Sequence, residues 1–151
     1  MTVVETTSEA ETAAAGHELA KRLEPGDVVL IEGTLGAGKT VFVRGLAEGL
    51  GLDADDVTSP TFTIVQEYRR AANARADPSR PVTLQHIDLY RLTPAEVDDL
   101  GLDDLIEGRI TAIEWPERWT DPPPSIVRVK IAVLNDHQRR ITTSGVRSDV
   151  L

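Results

Sequence analysis

One glycine-rich segment constrains the fold of this 151-residue chain more than any other feature. Residues 33–40 read Gly-Thr-Leu-Gly-Ala-Gly-Lys-Thr and match the phosphate-loop pattern G-x-x-x-x-G-K-[ST] at every fixed position. An apolar β-branched run, residues 28–31, precedes the segment, and apolar residues at helical spacing follow it over residues 43–50. Strand, glycine loop and helix therefore occur in the order that a phosphate loop requires. The sequence predicts a binding site for a nucleoside triphosphate.

Each part of this segment has an expected role. The glycines let the backbone turn tightly, so that successive N–H groups and the start of the helix face the phosphates. Lys39 is expected to reach the β- and γ-phosphates, and the hydroxyl of Thr40 to ligate Mg²⁺. The predicted nucleotide contacts in the segment are Gly33, Leu35, Gly36, Ala37, Gly38, Lys39, Thr40 and Val41.

Composition excludes several classes of protein. Sixteen basic and twenty-five acidic side chains leave a net charge of −9, which disfavours nonspecific attachment to nucleic acid or to an anionic membrane. Any RNA is therefore expected to be held by a partner. The absence of cysteine rules out disulfides and thiolate chemistry. No apolar stretch has the length of a membrane span and the first residues lack a signal pattern, so we expect a cytoplasmic protein.

The hydrophobic pattern predicts a single α/β domain over residues 1–151, with a mixed sheet of the P-loop NTPase type flanked by helices. The predicted strands are 28–31, 63–68, 82–89 and 109–113, followed by a C-terminal antiparallel hairpin of 126–134 and 139–144. A capping box at Ser8 and Glu11 begins a helix that extends to about residue 22 and is expected to be peripheral. We expect a flexible loop over 69–81 and frayed ends at 1–5 and 146–151.

Hydrolysis needs a further carboxylate near Mg²⁺, usually at the carboxyl end of a neighbouring strand. Asp88 ends the strand that begins at residue 82, and Glu114 ends the run at 110–113. Either residue satisfies the requirement, and their spacing does not distinguish between them.

Four motifs in order carry a resemblance to a known family. They are Gly-x-Leu-Gly-Ala-Gly-Lys-Thr at 33–40, Thr-Ser-Pro-Thr-Phe at 58–62, His-x-Asp-x-Tyr-Arg at 86–91 and Glu-Trp-Pro-Glu at 114–117. Together they closely resemble the TsaE (YjeE) family, over about residues 6–145. The resemblance implies a P-loop ATPase required for threonylcarbamoylation of adenosine 37 in tRNAs that read codons beginning with A. Such an ATPase acts on a complex of the TsaB and TsaD subunits and does not itself transfer the group.

The resemblance also implies roles for individual residues, with ATP and Mg²⁺ as cofactors. Lys39 is the phosphate lysine, Thr40 and Glu114 are the Mg²⁺ ligands, and Asp88 is the acidic residue of its box. Further nucleotide contacts are implied for Glu9, Ser59 and Thr61, the last two on a segment that behaves like a switch loop. The arginine-bearing stretch 69–80 and the turn at 135–138 depart from the family pattern, and the latter puts base contacts near the hairpin in doubt.

Other functions share the same loop. A small-molecule or nucleoside kinase would need a lid, for which Arg69, Arg70, Arg75 and Arg80 are the candidates. A nonhydrolytic nucleotide switch is a further alternative, whereas a GTPase is disfavoured because no Asn-Lys-x-Asp element occurs. Since no arginine finger or water-orienting residue can be identified, we expect slow hydrolysis by the chain alone and faster hydrolysis with partners. Trp115, beside Glu114, is expected to report nucleotide binding.

Overall fold

A seven-stranded mixed sheet forms the centre of the fold. The structure is a computed structural model and describes residues 1–34, 36–52, 64–69, 83–123 and 126–146. Its strands are β1 (Thr2–Thr6), β2 (Val28–Glu32), β3 (Val65–Arg69), β4 (Thr83–Asp88), β5 (Ile110–Glu114), β6 (Val127–Val133) and β7 (Arg139–Ser144). Across the sheet they lie in the order β1-β7-β6-β2-β5-β4-β3.

The sheet is parallel at its centre and antiparallel at both ends. β2 pairs in parallel with β5 and β6, and β4 pairs in parallel with β5. The pairs β6–β7, β1–β7 and β3–β4 are antiparallel. The α/β fold with a C-terminal hairpin that the sequence predicted is confirmed.

Helices cover both faces of the sheet. They are α1 (Glu9–Ala20), α2 (Lys39–Gly49), α3 (Pro94–Asp99) and α4 (Leu102–Leu105), with a 3₁₀ turn at Pro116–Arg118. Each face of the sheet has its own hydrophobic core. Successive residues of β2 contribute to the two cores in turn, since side chains of a strand point to opposite faces. Val29 and Ile31 pack in the cluster that contains α1 and α2, whereas Val28 and Leu30 pack with α3, α4 and Trp119. No helix among the described residues is both long and apolar enough to cross a membrane.

The first helix is not peripheral, which corrects the expectation from sequence. Thr12, Gly16, Leu19 and Ala20 of α1 are buried. α1 lies so close to α2 that a Cβ atom built on Gly45 would stand 1.9 Å from the backbone oxygen of Ala13. The alanines and glycines of α1 allow this approach, because small residues let two helix backbones come together. The same residues gave α1 only a weak apolar pattern in the sequence.

The N-terminus forms a strand where frayed residues were predicted. Residues 1–5 were expected to fray, but β1 pairs with β7 from Thr2 opposite Thr143 to Thr6 opposite Arg139. The capping box before α1 is only half formed, because Ser8 accepts from the N–H of Glu11 while the Glu11 carboxylate accepts from the N–H of Thr7. Beyond Arg69, which ends β3, the predicted loop 69–81 lies outside the described residues, as do residues 147–151.

Candidate nucleotide-binding site

The glycine loop leads from the end of β2 into the first turn of α2. Gly38 precedes α2 with φ 107°, a left-handed conformation that a side chain would strain. Gly38, the residue at the N-cap of α2, has no side chain with which to cap the helix. The first N–H groups of α2 therefore have no intrahelical or side-chain acceptor among the described residues and can bind an anion, with the helix dipole in the favourable direction.

Lys39, the first residue of α2, lies in a confined position. The residue is only 6% exposed, and Nζ donates to the backbone oxygen of Gly33 at 2.6 Å. Nζ also stands 3.9 Å from the centroid of the Trp115 ring, in cation–π geometry. Burial lowers the pKa of Lys39, and the carboxylates of Glu114, Asp88 and Glu117 oppose this shift. An ammonium group with so little solvation is well placed to bind phosphate oxygens.

Asp88 and Glu114 lie at one site. The sequence did not distinguish which of them is the further carboxylate near Mg²⁺. They end the neighbouring parallel strands β4 and β5 and are opposite each other in register. Glu114 is also opposite Ile31 of β2, just before the glycine loop. Both carboxyl groups are almost fully buried, with residue exposures of 4% and 3%. The sheet therefore brings both acidic residues to the edge at which the loop begins.

Hydrogen bonds orient these two carboxylates. Asp88 Oδ1 accepts from the backbone N–H of Tyr90 at 2.9 Å. Glu114 Oε2 lies 2.6 Å from Nε2 of His86, and this pair is buried. The rings of Tyr90 and Trp115 are in contact beside them, with a centroid distance of 4.8 Å and an interplanar angle of 44°. Both carboxylates are thus held by specific partners.

Two adjoining cavities surround the loop. The first, the phosphate cavity, has a volume of about 340 Å³. It is lined by Glu9, Gly36, Gly38, Lys39, Thr40, Val41, Asp88, Tyr90, Glu114 and Trp115. The second, the hairpin cavity, has about 210 Å³. It is lined by Thr7, Ser8, Glu9, Thr12, Gly36, Ala37, Gly38, Val41, Asp136, His137 and Arg139. Four residues, Glu9, Gly36, Gly38 and Val41, line both cavities.

Most residues that the sequence suggested are brought together here. Ala37 lines the hairpin cavity, and Gly33 contributes its carbonyl oxygen to Lys39. Three suggested contacts, Leu35, Ser59 and Thr61, lie outside the described residues, and so do the lid candidates Arg70, Arg75 and Arg80.

Two residues at the site were missed by sequence reasoning. Arg139 at the start of β7 donates Nε to the backbone oxygen of Ala37 at 3.1 Å and a terminal nitrogen to that of Gly36 at 3.4 Å. No local pattern links residues so far apart in the chain. His86 had a signal, because it precedes Asp88 by two residues in a strand and such residues share a face.

The donor atoms around the phosphate cavity fit Mg²⁺. They are the hydroxyl of Thr40 and the carboxylates of Asp88 and Glu114, all of them oxygen, which hard cations prefer. Within the described ranges, no group of three or more His, Cys, Asp or Glu side chains could hold a metal by itself. This agrees with Mg²⁺ sites that rely on one or two carboxylates together with substrate phosphates and water.

The fold and this site define a P-loop nucleotide-binding protein. The family model described as "Threonylcarbamoyl adenosine biosynthesis protein TsaE" matches residues 6–141. The chain therefore belongs to the TsaE family.

Relatives named "tRNA threonylcarbamoyladenosine biosynthesis protein TsaE" are similar over most of the chain. The one from Treponema pallidum is 39% identical over 137 residues, covering 89% of this chain and 93% of that protein. The one from Bacillus subtilis is 38% identical over 138 residues, covering 90% and 80%. The crystal structure of Bacillus subtilis YdiB matches with a TM-score of 0.72 at 32% identity, over 97% of this chain and 86% of that one.

Trp115 is expected to respond to nucleotide, because its ring faces the Lys39 ammonium that phosphates would attract. Trp119, the second tryptophan of the chain, lies in the cluster against which Trp115 packs but does not line the phosphate cavity, so the Trp119→Phe variant isolates the signal of Trp115. Titration of this variant with Mg·ATP is expected to give a saturable change in emission. The Trp115→Phe variant, which retains Trp119, is expected to show almost none. Equal responses from the two variants would contradict this assignment.

Proposed function

We propose that the chain binds Mg·ATP in the phosphate cavity and hydrolyses it, slowly alone and faster on a complex of TsaB and TsaD, in the synthesis of threonylcarbamoyladenosine in tRNA. One observation carries the proposal: a glycine loop, a buried lysine and two strand-end carboxylates surround a single cavity. The names of the relatives support the assignment to this pathway.

Different groups of the described residues serve different parts of phosphoryl transfer. The N–H groups at the start of α2 bind the phosphate oxygens, and Lys39 supplies a positive charge from a position with little water. Thr40 and Glu114 would hold Mg²⁺, with Asp88 beside them. Mg²⁺, when bound, supplies charge neutralisation on the phosphates. Catalysis then rests on positioning and electrostatics, since this reaction needs little covalent help from a protein.

The nucleoside end of ATP is proposed to lie in the hairpin cavity. Four residues line both cavities, so a ligand with its phosphates at Lys39 can extend from one into the other. Arg139 supports this arrangement by bonding the loop carbonyls of Ala37 and Gly36 from the hairpin side. The departure of residues 135–138 from the family pattern therefore falls where it can alter contacts with the base.

Partner stimulation follows from the charges at the phosphate cavity. Among the described residues that line it, Lys39 is the sole cationic side chain, and no arginine is present to stabilise the transferring phosphoryl group. An arginine supplied by a second protein accelerates such reactions by about 10³- to 10⁵-fold in well-studied cases. A chain with this site is expected to be slow until a partner completes it.

The test is phosphate release from ATP, measured for the chain alone, for a TsaB–TsaD complex alone and for the two mixed. We expect slow release by the chain and a clear increase in the mixture above the sum of the two parts. Equal rates would contradict partner stimulation. Binding of ATP without release, even in the mixture, would favour the nonhydrolytic switch, and release that required an added small-molecule acceptor would favour a kinase.

A further inference from the structure

His86 is a buried residue at the site to which the proposed chemistry gives no task. It is fully buried in β4, and its Nε2 lies 2.6 Å from Glu114 Oε2. A carboxylate accepts hydrogen bonds, so Nε2 carries the proton and donates. The other ring nitrogen, Nδ1, is buried without a hydrogen-bond partner among the described residues. The one hydrogen bond of this ring in the described structure therefore holds Glu114.

The geometry leaves the rest of the Glu114 carboxylate available. Oε2 is occupied by His86, and no described side chain donates to Oε1. Glu114 lines the phosphate cavity, whereas His86 does not. A histidine nitrogen is also a poor ligand for Mg²⁺, which prefers oxygen. His86 thus contacts the carboxylate from the protein side, while the cavity side remains open to a cation.

We propose that His86 is a positioning residue, which fixes the carboxylate of Glu114 in the orientation that binds Mg²⁺ at the nucleotide phosphates. The terminal torsion of a glutamate is broad, so an unrestrained carboxylate loses rotational freedom when it binds a metal. A buried hydrogen bond from a neighbouring strand removes that freedom during folding. Partners of this kind tune metal sites from outside the ligand shell. The inference rests on the proposed function, in which Glu114 is a Mg²⁺ ligand.

Two amide substitutions distinguish the effect of losing the hydrogen bond from the effect of changing the volume of the side chain. The nitrogen of glutamine in His86→Gln can reach the position of Nε2 and donate to Glu114. The amide of His86→Asn is one carbon shorter and falls near the position of Nδ1, so the donor to Glu114 is lost. Both variants keep a polar amide in the same buried place. The third variant, Glu114→Gln, removes the charge of the proposed ligand itself.

The measurement is the affinity for Mg²⁺ of each protein saturated with a non-hydrolysable ATP analogue, by calorimetry, together with the affinity for the analogue in EDTA. We expect His86→Asn to weaken Mg²⁺ binding by about 10- to 100-fold, the range for partners of metal ligands. His86→Gln is expected to retain most of the wild-type affinity. The metal-free affinity for the analogue should change little in either variant, which a general loss of structure would not allow.

The outcomes separate this inference from the proposed function. If Glu114→Gln binds Mg²⁺ as tightly as wild type, the role of Glu114 in the proposed function fails. If Glu114→Gln weakens Mg²⁺ binding but His86→Asn does not, or if the Gln and Asn variants weaken it equally, the role of His86 is overturned. Thermal unfolding is measured first, and if His86→Asn does not fold, His86→Leu, an apolar residue of similar size, takes its place with the same expectations.

Discussion

Replacing Lys39 with alanine is expected to lower ATP turnover by at least about 10²-fold, the scale observed when one transition-state donor is lost. Nζ of Lys39 lies at the loop, where it donates to the Gly33 carbonyl and is attracted by the carboxylates of Asp88 and Glu114. No other cationic side chain among the described residues lines the phosphate cavity, so none is placed to compensate. The measurement is phosphate release at saturating Mg·ATP, with and without the partner complex.

A matched control distinguishes loss of this charge from loss of any lysine. Lys21 follows α1 on the surface and pairs with Glu18 there. Exposed pairs of this kind contribute little to stability, so the Lys21→Ala variant should fold and turn over ATP as wild type does. Near-normal turnover by the Lys39→Ala variant would show that the site has been assigned to the wrong residues.

The second large effect concerns the packing of α1 on the helix that follows the glycine loop. In the Gly45→Ala variant, the added Cβ would stand 1.9 Å from the Ala13 oxygen, which is backbone and cannot rotate away. Overpacking costs about 1 to 3 kcal/mol or more, against a gain of about 1 kcal/mol in helix propensity. Because the contact is with immobile backbone, we take the upper end of this range and expect a net loss of about 2 kcal/mol in the free energy of unfolding, or about 4 to 8 °C in Tm.

Thermal unfolding followed by circular dichroism measures this loss, and Glu48→Ala in the same helix is the control. Glu48 is exposed, so its replacement should change the free energy of unfolding by no more than about 0.5 kcal/mol. Because α1 carries Glu9 to both cavities, the Gly45→Ala variant is also expected to bind nucleotide more weakly. A Gly45→Ala variant as stable as wild type would mean that the two helices are not in this close contact.

The features that the sequence predicted correctly are those with local causes. The phosphate loop is a continuous segment whose glycines and flanking elements all point to one structure. The hairpin of β6 and β7 also follows from alternation across a short turn.

The features that were missed depend on residues far apart in the chain. β1 exists as a strand because β7 lies beside it, more than 130 residues later. The bond from Arg139 to the loop and the pair of His86 with Glu114 likewise join separate strands. The choice between Asp88 and Glu114 could not be made because the sheet places both at the same edge, and only the register of β4 against β5 reveals this. Sequence therefore located the glycine loop better than the residues that hold it in place.

The central claim is that the loop at residues 33–40 binds the phosphates of Mg·ATP through main-chain N–H groups and Lys39. Isothermal titration of the folded chain with Mg·ATP tests it most directly. We predict one saturable site per chain in the wild type and in the Lys21→Ala variant, and greatly weakened binding in the Lys39→Ala variant. Folded wild-type protein that takes up no Mg·ATP, or a Lys39→Ala variant that binds it equally well, would contradict the account.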